Sequence, residues 1–183
     1  MSHLFRFRNL ALALGIVAGQ GCNNAARDAD KAADRVIDKQ KDLTRKDDRD
    51  LAIADKKSST SGDSAASQEL ADATAAFDAR RRIRVTTLRT QHAVIATQPM
   101  LISTMVEAFP LTDRGRADVN EKLTIFQMRL DETGNLIQGL QAASPQDFKD
   151  RNDAASDAMN RLDDARKDAW KALEDAPRTD RSS

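Results

Sequence analysis

In the second half of the chain, apolar residues recur in alternating steps of four and three. Val119, Leu123, Phe126, Leu130, Thr133, Ile137 and Leu140 keep this phase without a break, and Phe148, Asn152, Ala155, Met159, Leu162, Arg166, Ala169, Leu173 and Ala176 keep it again. A 4-3 step places every member of the series on one face of an α-helix, and two or more such faces bury each other as in a coiled coil. Between the two series, Ser144-Pro145-Gln146-Asp147 is a helix start, with Ser as N-cap, Pro in the first turn and Asp three residues after the cap. Gly134 weakens the first of these helices by about 1 kcal/mol relative to Ala, but the seam keeps phase across it. The pattern therefore predicts helices over 113–143 and 145–176, each about 46–48 Å long at 1.5 Å per residue.

Upstream, Leu88, His92, Ile95, Pro99, Ile102, Val106 and Phe109 repeat the spacing. Pro99 removes one backbone hydrogen bond and bends the chain, and the unbroken phase predicts one kinked helix over 67–108. Phe109-Pro110-Leu111-Thr112 forms the next turn, with Thr112 or Asp113 as cap. Similar lengths and short connections imply antiparallel neighbours. The expected fold is all-α: an antiparallel three-helix up-down bundle over 67–176 with coiled-coil-like seams, followed by a disordered tail over 177–183.

The segment before the bundle has a different pattern. Residues 27–57 hold 19 charged side chains among 31, opening with tetrads such as Lys31-Ala-Ala-Asp34 and Arg35-Val-Ile-Asp38. A base at i and an acid at i+3 are neighbours on a helix, and each such pair contributes about 0.2–0.5 kcal/mol. Four residues turn a helix by about 400°, so the charge stripes wind around the axis and mark no single face. The large apolar residues here are only Val36, Ile37, Leu43, Leu51 and Ile53, and every acid is the weak helix former Asp. A marginal, mobile rod over 22–57 with too little apolar surface to dock firmly is expected, joined by a Ser/Gly linker over 58–66; whether 27–57 packs on the bundle stays open.

Composition narrows the function classes. There is one cysteine, no tyrosine, and a formal net charge of zero over the whole chain. A framework of disulfides within the chain is excluded, and the charge balance is no footprint for nucleic acid. The N-terminus carries Arg6 and Arg8, then the apolar run Leu10–Ala18, then Gly19-Gln20-Gly21-Cys22. A basic leader, a short apolar stretch and a small-residue exit over 1–21 form an export signal, too short to span a bilayer, which needs about 20 apolar residues.

The cysteine at the exit resembles the lipobox of bacterial lipoproteins. That resemblance implies attachment of a diacylglyceryl group to Cys22 and a mature chain beginning there, with 27 basic and 29 acidic side chains. Gly21 fits the small residue before the cut, while Gly19 departs from the usual Leu. Two other readings of the exit stay open: an ordinary secretory cleavage, and a thiol kept for an intermolecular disulfide. Asn23, where Asp would favour retention in the inner membrane, implies the outer membrane with the domain in the periplasm.

Few residues offer chemistry. His92 is the sole histidine beyond the signal and has Arg89 three residues before it, so the Glu-x-x-His pair of metal-binding bundles is missing. Phosphate-loop, zinc and EF-hand spacings are missing too. No enzyme, cofactor or metal site is expected. The Asp residues at 147, 150, 153, 157, 163, 164 and 168 are interleaved with Lys149, Arg151, Arg161, Arg166 and Lys167, the pattern of a solvated face. Two contact surfaces stand out: the basic cluster Arg80, Arg81, Arg82, Arg84 and Arg89, suited to anionic head groups or an acidic polymer, and Trp170 beside the last seam, as a docking anchor or as rim packing. The expectation is a lipid-anchored, non-enzymatic envelope protein acting as a helical spacer or interaction module towards another envelope protein or a cell-wall component. The alternative is a periplasmic carrier of an apolar or lipid ligand between helices.

Overall fold

The computed structural model describes residues 18–53 and 60–179. The basic leader and most of the apolar run of the export signal, the linker residues Ser58 and Ser59, and the last four residues of the tail lie outside the described residues. The architecture is all-helical: α1 (Ala18–Ile53), α2 (Thr60–Ala96), α3 (Gln98–Ala108), α4 (Asp113–Gln141) and α5 (Pro145–Asp175). The chain divides into two compact units, Met1–Thr87 with Gln141–Asp150, and Leu88–Leu140 with Arg151–Ser183.

The second unit holds the seams. Val119, Leu123, Phe126, Leu130, Thr133, Ile137 and Leu140 are all buried, so the four-three phase of α4 is its core face. On α5, Asn152, Ala155, Leu162, Ala169 and Leu173 are buried, while Met159 and Arg166 are half-buried. Ala158 and Ala165, one position before those two, are buried in their place. The core face of α5 thus drifts towards the smaller neighbour of each long side chain.

Pairings fix the directions inside this unit. Arg151 Nη1 donates to the Gly139 carbonyl at 3.2 Å and Arg161 Nη2 to Glu132 at 3.0 Å, so α5 runs antiparallel to α4. His92 and Leu130, with Arg116 and Val106, give the same relation between α4 and the α2–α3 segment. The break at Pro99 is small: Thr97 alone leaves the helix assignment and keeps right-handed helical angles (φ −79°, ψ −18°). Proline in the first turn of α3 lacks only an N–H that would be unpaired there, which is why the seam runs on through buried Pro99, Ile102 and Val106.

Both forecast caps are present. Thr112 Oγ1 accepts from Gly115 N at 3.1 Å, and Ser144 Oγ accepts from Asp147 N at 3.2 Å. The tail expected to be disordered from residue 177 is instead held as far as Thr179. Thr112 N donates to Pro177 O at 2.9 Å, Thr179 N donates to Pro110 O at 2.8 Å, and Arg178 lies over the Phe109 ring. The reason is local: Pro110 keeps 109–112 out of a helix, leaving backbone groups that need partners. Gly115 permits the approach, since a Cβ there would lie 3.0 Å from the Pro177 carbonyl oxygen.

The first unit corrects the expectation for the charged segment. Ala29, Ala32, Ala33 and Val36 are 0–7% exposed, so α1 docks. Asp28 faces Arg80 at 3.7 Å, and Lys39 pairs with Glu69. In both pairs the residue numbers add to 108, which makes α1 and α2 an antiparallel helical hairpin in one register. The charged tetrads conceal the reason for docking: Ala29, Ala32, Ala33 and Val36 share one face of α1 and are buried there without large side chains. The helix α2 also begins at Thr60, so the part of the forecast Ser/Gly linker that is described lies in its first turns. Phe77 and Phe148 close the unit's core edge to face, with centroids 5.4 Å apart.

Three substitutions test these assignments. Leu130→Ala should cost about 2–5 kcal/mol through lost transfer energy and a cavity. Met128→Ala, at a side chain 66% exposed, should stay within about 0.5 kcal/mol in urea melts. Ala29→Leu overpacks the hairpin and should cost about 1–3 kcal/mol; an unchanged melt would show that α1 does not dock in solution.

Candidate functional site

The basic cluster does not form one surface. Successive helical residues point about 100° apart, so five arginines within ten positions of α2 are dispersed around it. Arg84 is only 3% exposed and is taken into the protein interior, which removes it as a contact for head groups or polymers. Arg81 is half-buried and has three structural contacts: its Nη1 donates to the Ala143 carbonyl at 2.6 Å, its Nη2 lies 2.9 Å from Asp78, and its guanidinium stacks 5.3 Å from the Phe77 ring centroid. It therefore ties the loop between α4 and α5 to α2 inside the first unit. Arg80 and Arg82 are exposed in the same unit, and Arg89 is exposed in the other.

Cys22 lies in the first turns of α1. Beside the hairpin, Lys31, Arg35, Lys39 and Arg80 line a groove of about 570 Å³ with Asp28, Asp38 and Asp72. Its walls carry both signs of charge, which suits water and salt better than an apolar ligand.

Trp170 packs at the edge of the second unit's core, half-buried, with Nε1 donating to Gln98 Oε1 at 2.9 Å. The indole has its polar partner within the fold and serves as rim packing. His92 is also structural: its Nε2 lies 2.9 Å from the Leu130 carbonyl, an acceptor only, so Nε2 carries the proton. Gly134 leaves room for that ring, whose Cε1 lies 3.6 Å from where a Cβ would stand.

Several of the acidic residues are engaged with bases. Burial raises the Asp163 carboxyl, but hydrogen bonds from Lys167 and Arg166 outweigh it and hold the group below its ordinary range. Glu132, bridged by Arg129 and Arg161, is lowered by those two hydrogen bonds. Among the described residues, no group of three or more His, Cys, Asp or Glu side chains is placed to hold a metal ion. None of the described helices is long and apolar enough to cross a membrane.

Sequence reasoning missed the hairpin between α1 and α2, whose only signal was the recurrence of Ala at 25, 29, 32 and 33. No protein-family model, curated protein or solved structure matches the chain.

Arginine roles can be separated by stability. Arg81→Ala removes a carbonyl partner, an ion pair and a ring contact, and should cost about 1–2 kcal/mol in urea melts. Arg82→Ala, at an exposed position, should stay within about 0.5 kcal/mol.

Proposed function

We propose that this chain is a non-enzymatic envelope lipoprotein, anchored through Cys22 and presenting a helical module to other envelope components. The observation that carries the anchor is the sequence Gly19-Gln20-Gly21-Cys22 directly behind an apolar run, with no other cysteine in the chain. A thiol at that one place is the acceptor of a lipid, and the periplasmic leaflet of the outer membrane is the proposed location. The module is an up-down bundle in which α2–α3, α4 and α5 contribute the three seams.

The helical content supports an interaction role over chemistry. Its one histidine beyond the signal is engaged with a backbone carbonyl, and its acids are distributed along helix faces with bases between them. The charged walls of the groove beside α1 give the carrier reading no support. The docked α1 also changes the spacer idea: an arm folded back along α2 does not extend as a free rod. A protein or cell-wall partner is the proposed target of the exposed surface.

Cys22→Ser should abolish fatty-acid labelling and leave an uncleaved or mislocalised precursor. Normal maturation and an unchanged membrane fraction in that variant would eliminate the anchor.

A further inference from the structure

The register of the hairpin places the anchor along the side of α2. Asp28 is level with Arg80, and α1 is helical from Ala18, so six residues back towards the N-terminus Cys22 is level with Thr86. A lipid on Cys22 therefore brings the bilayer surface to the level of Thr86, one turn of helix from Ile83.

The residues at that level suit an anionic surface. From 22 to 29 and from 79 to 87 the hairpin carries Arg27, Arg80, Arg81, Arg82 and Arg84 against a single acid, Asp28. Arg84 is buried and Arg81 is committed to Ala143 and Asp78, which leaves Arg27, Arg80 and Arg82 exposed. Arg80 is shared with Asp28 at 3.7 Å, a loose pair that a phosphate can replace. Among these cations stands Ile83, a large apolar side chain left 51% exposed. An isoleucine with Arg82 about 100° to one side of it around the helix and Arg80 about 60° to the other fits the boundary between head groups and acyl chains, where apolar surface is buried and cations meet phosphates.

We infer that the wall of the hairpin around Arg80, Arg82 and Ile83 is a membrane-contact surface, which lies against the anionic head groups of the bilayer that holds the lipid on Cys22. This rests on the proposed anchor. A wall contact turns a single point of attachment into two and fixes which side of the first unit faces the lipid.

Thiol accessibility tests it. The acylated full-length mature protein is reconstituted into phosphatidylcholine vesicles with or without phosphatidylglycerol, where the lipid-blocked Cys22 leaves an introduced thiol as the only free one. In Ile83→Cys, an impermeant maleimide should react about tenfold more slowly on phosphatidylglycerol vesicles than in detergent. Gln68→Cys is a control about 27 Å along α2 from Thr86 at 1.5 Å per residue, and should react equally in both. Adding Arg82→Gln to Ile83→Cys should raise the vesicle rate about fivefold, the equivalent of one cation near an anionic surface. Circular dichroism confirms that each variant keeps its helix content. Equal rates at 83 in vesicles and detergent overturn the contact surface while the anchor stands, because acylation is read separately from the mass of the N-terminal peptide. Equal slowing at 83 and 68 overturns the placement near Thr86, slowing that needs no phosphatidylglycerol overturns the anionic head groups as its partner, and an unacylated Cys22 overturns both readings.

Discussion

The apolar stripe of α4 is the constraint on which the second unit depends. Seven residues from Val119 to Leu140 are buried in strict four-three phase, and a helix whose seam is that regular has to be covered along its whole length. Coverage comes from α5 on one side and from the α2–α3 segment on the other, both antiparallel to α4. Gly115, at the start of the same face, extends the cover to the C-terminal segment by admitting Pro177. Polar groups caught in the seam are satisfied locally, as with Thr133 Oγ1, 2.7 Å from the Arg129 carbonyl.

The first unit is held by a different balance of forces. The α1 side of its hairpin buries three alanines and one valine, and the larger side chains come from Phe77 and Val85 of α2. Around that narrow contact stand exposed ion pairs, Lys39–Glu69 and Arg80–Asp28, each worth little by itself in water. Lys39 is raised and Glu69 lowered by their shared hydrogen bond and then by their mutual attraction. Stability from the lowered carboxyl is present above the ordinary range of Glu and is lost as pH falls through its folded value; that from the raised amine is lost as pH climbs through its own. Between those limits, salt is the condition that weakens the pair.

The same economy of side chains shapes the functional surfaces. Arginines that form one run in the sequence end in different environments: Arg84 in the interior, Arg81 on a loop carbonyl, Arg80 and Arg82 at the surface. Trp170 and His92, the residues with the most chemical potential, are turned inward to Gln98 and Leu130.

The periodicity of the chain by itself determined the two long helices, expected over 113–143 and 145–176 and found over Asp113–Gln141 and Pro145–Asp175, with their caps, the kinked run through Pro99 and the buried face of α4, because caps and four-three spacing are local properties that tertiary packing had no cause to override. Only the tertiary structure decided that α1 docks, that the tail is pinned as far as Thr179, and which of the arginines remain at the surface. An alanine reads alike on a solvated helix and in a close hairpin; what separates the two is a neighbouring backbone at the right distance, and that is a property of pairs of elements far apart in the chain.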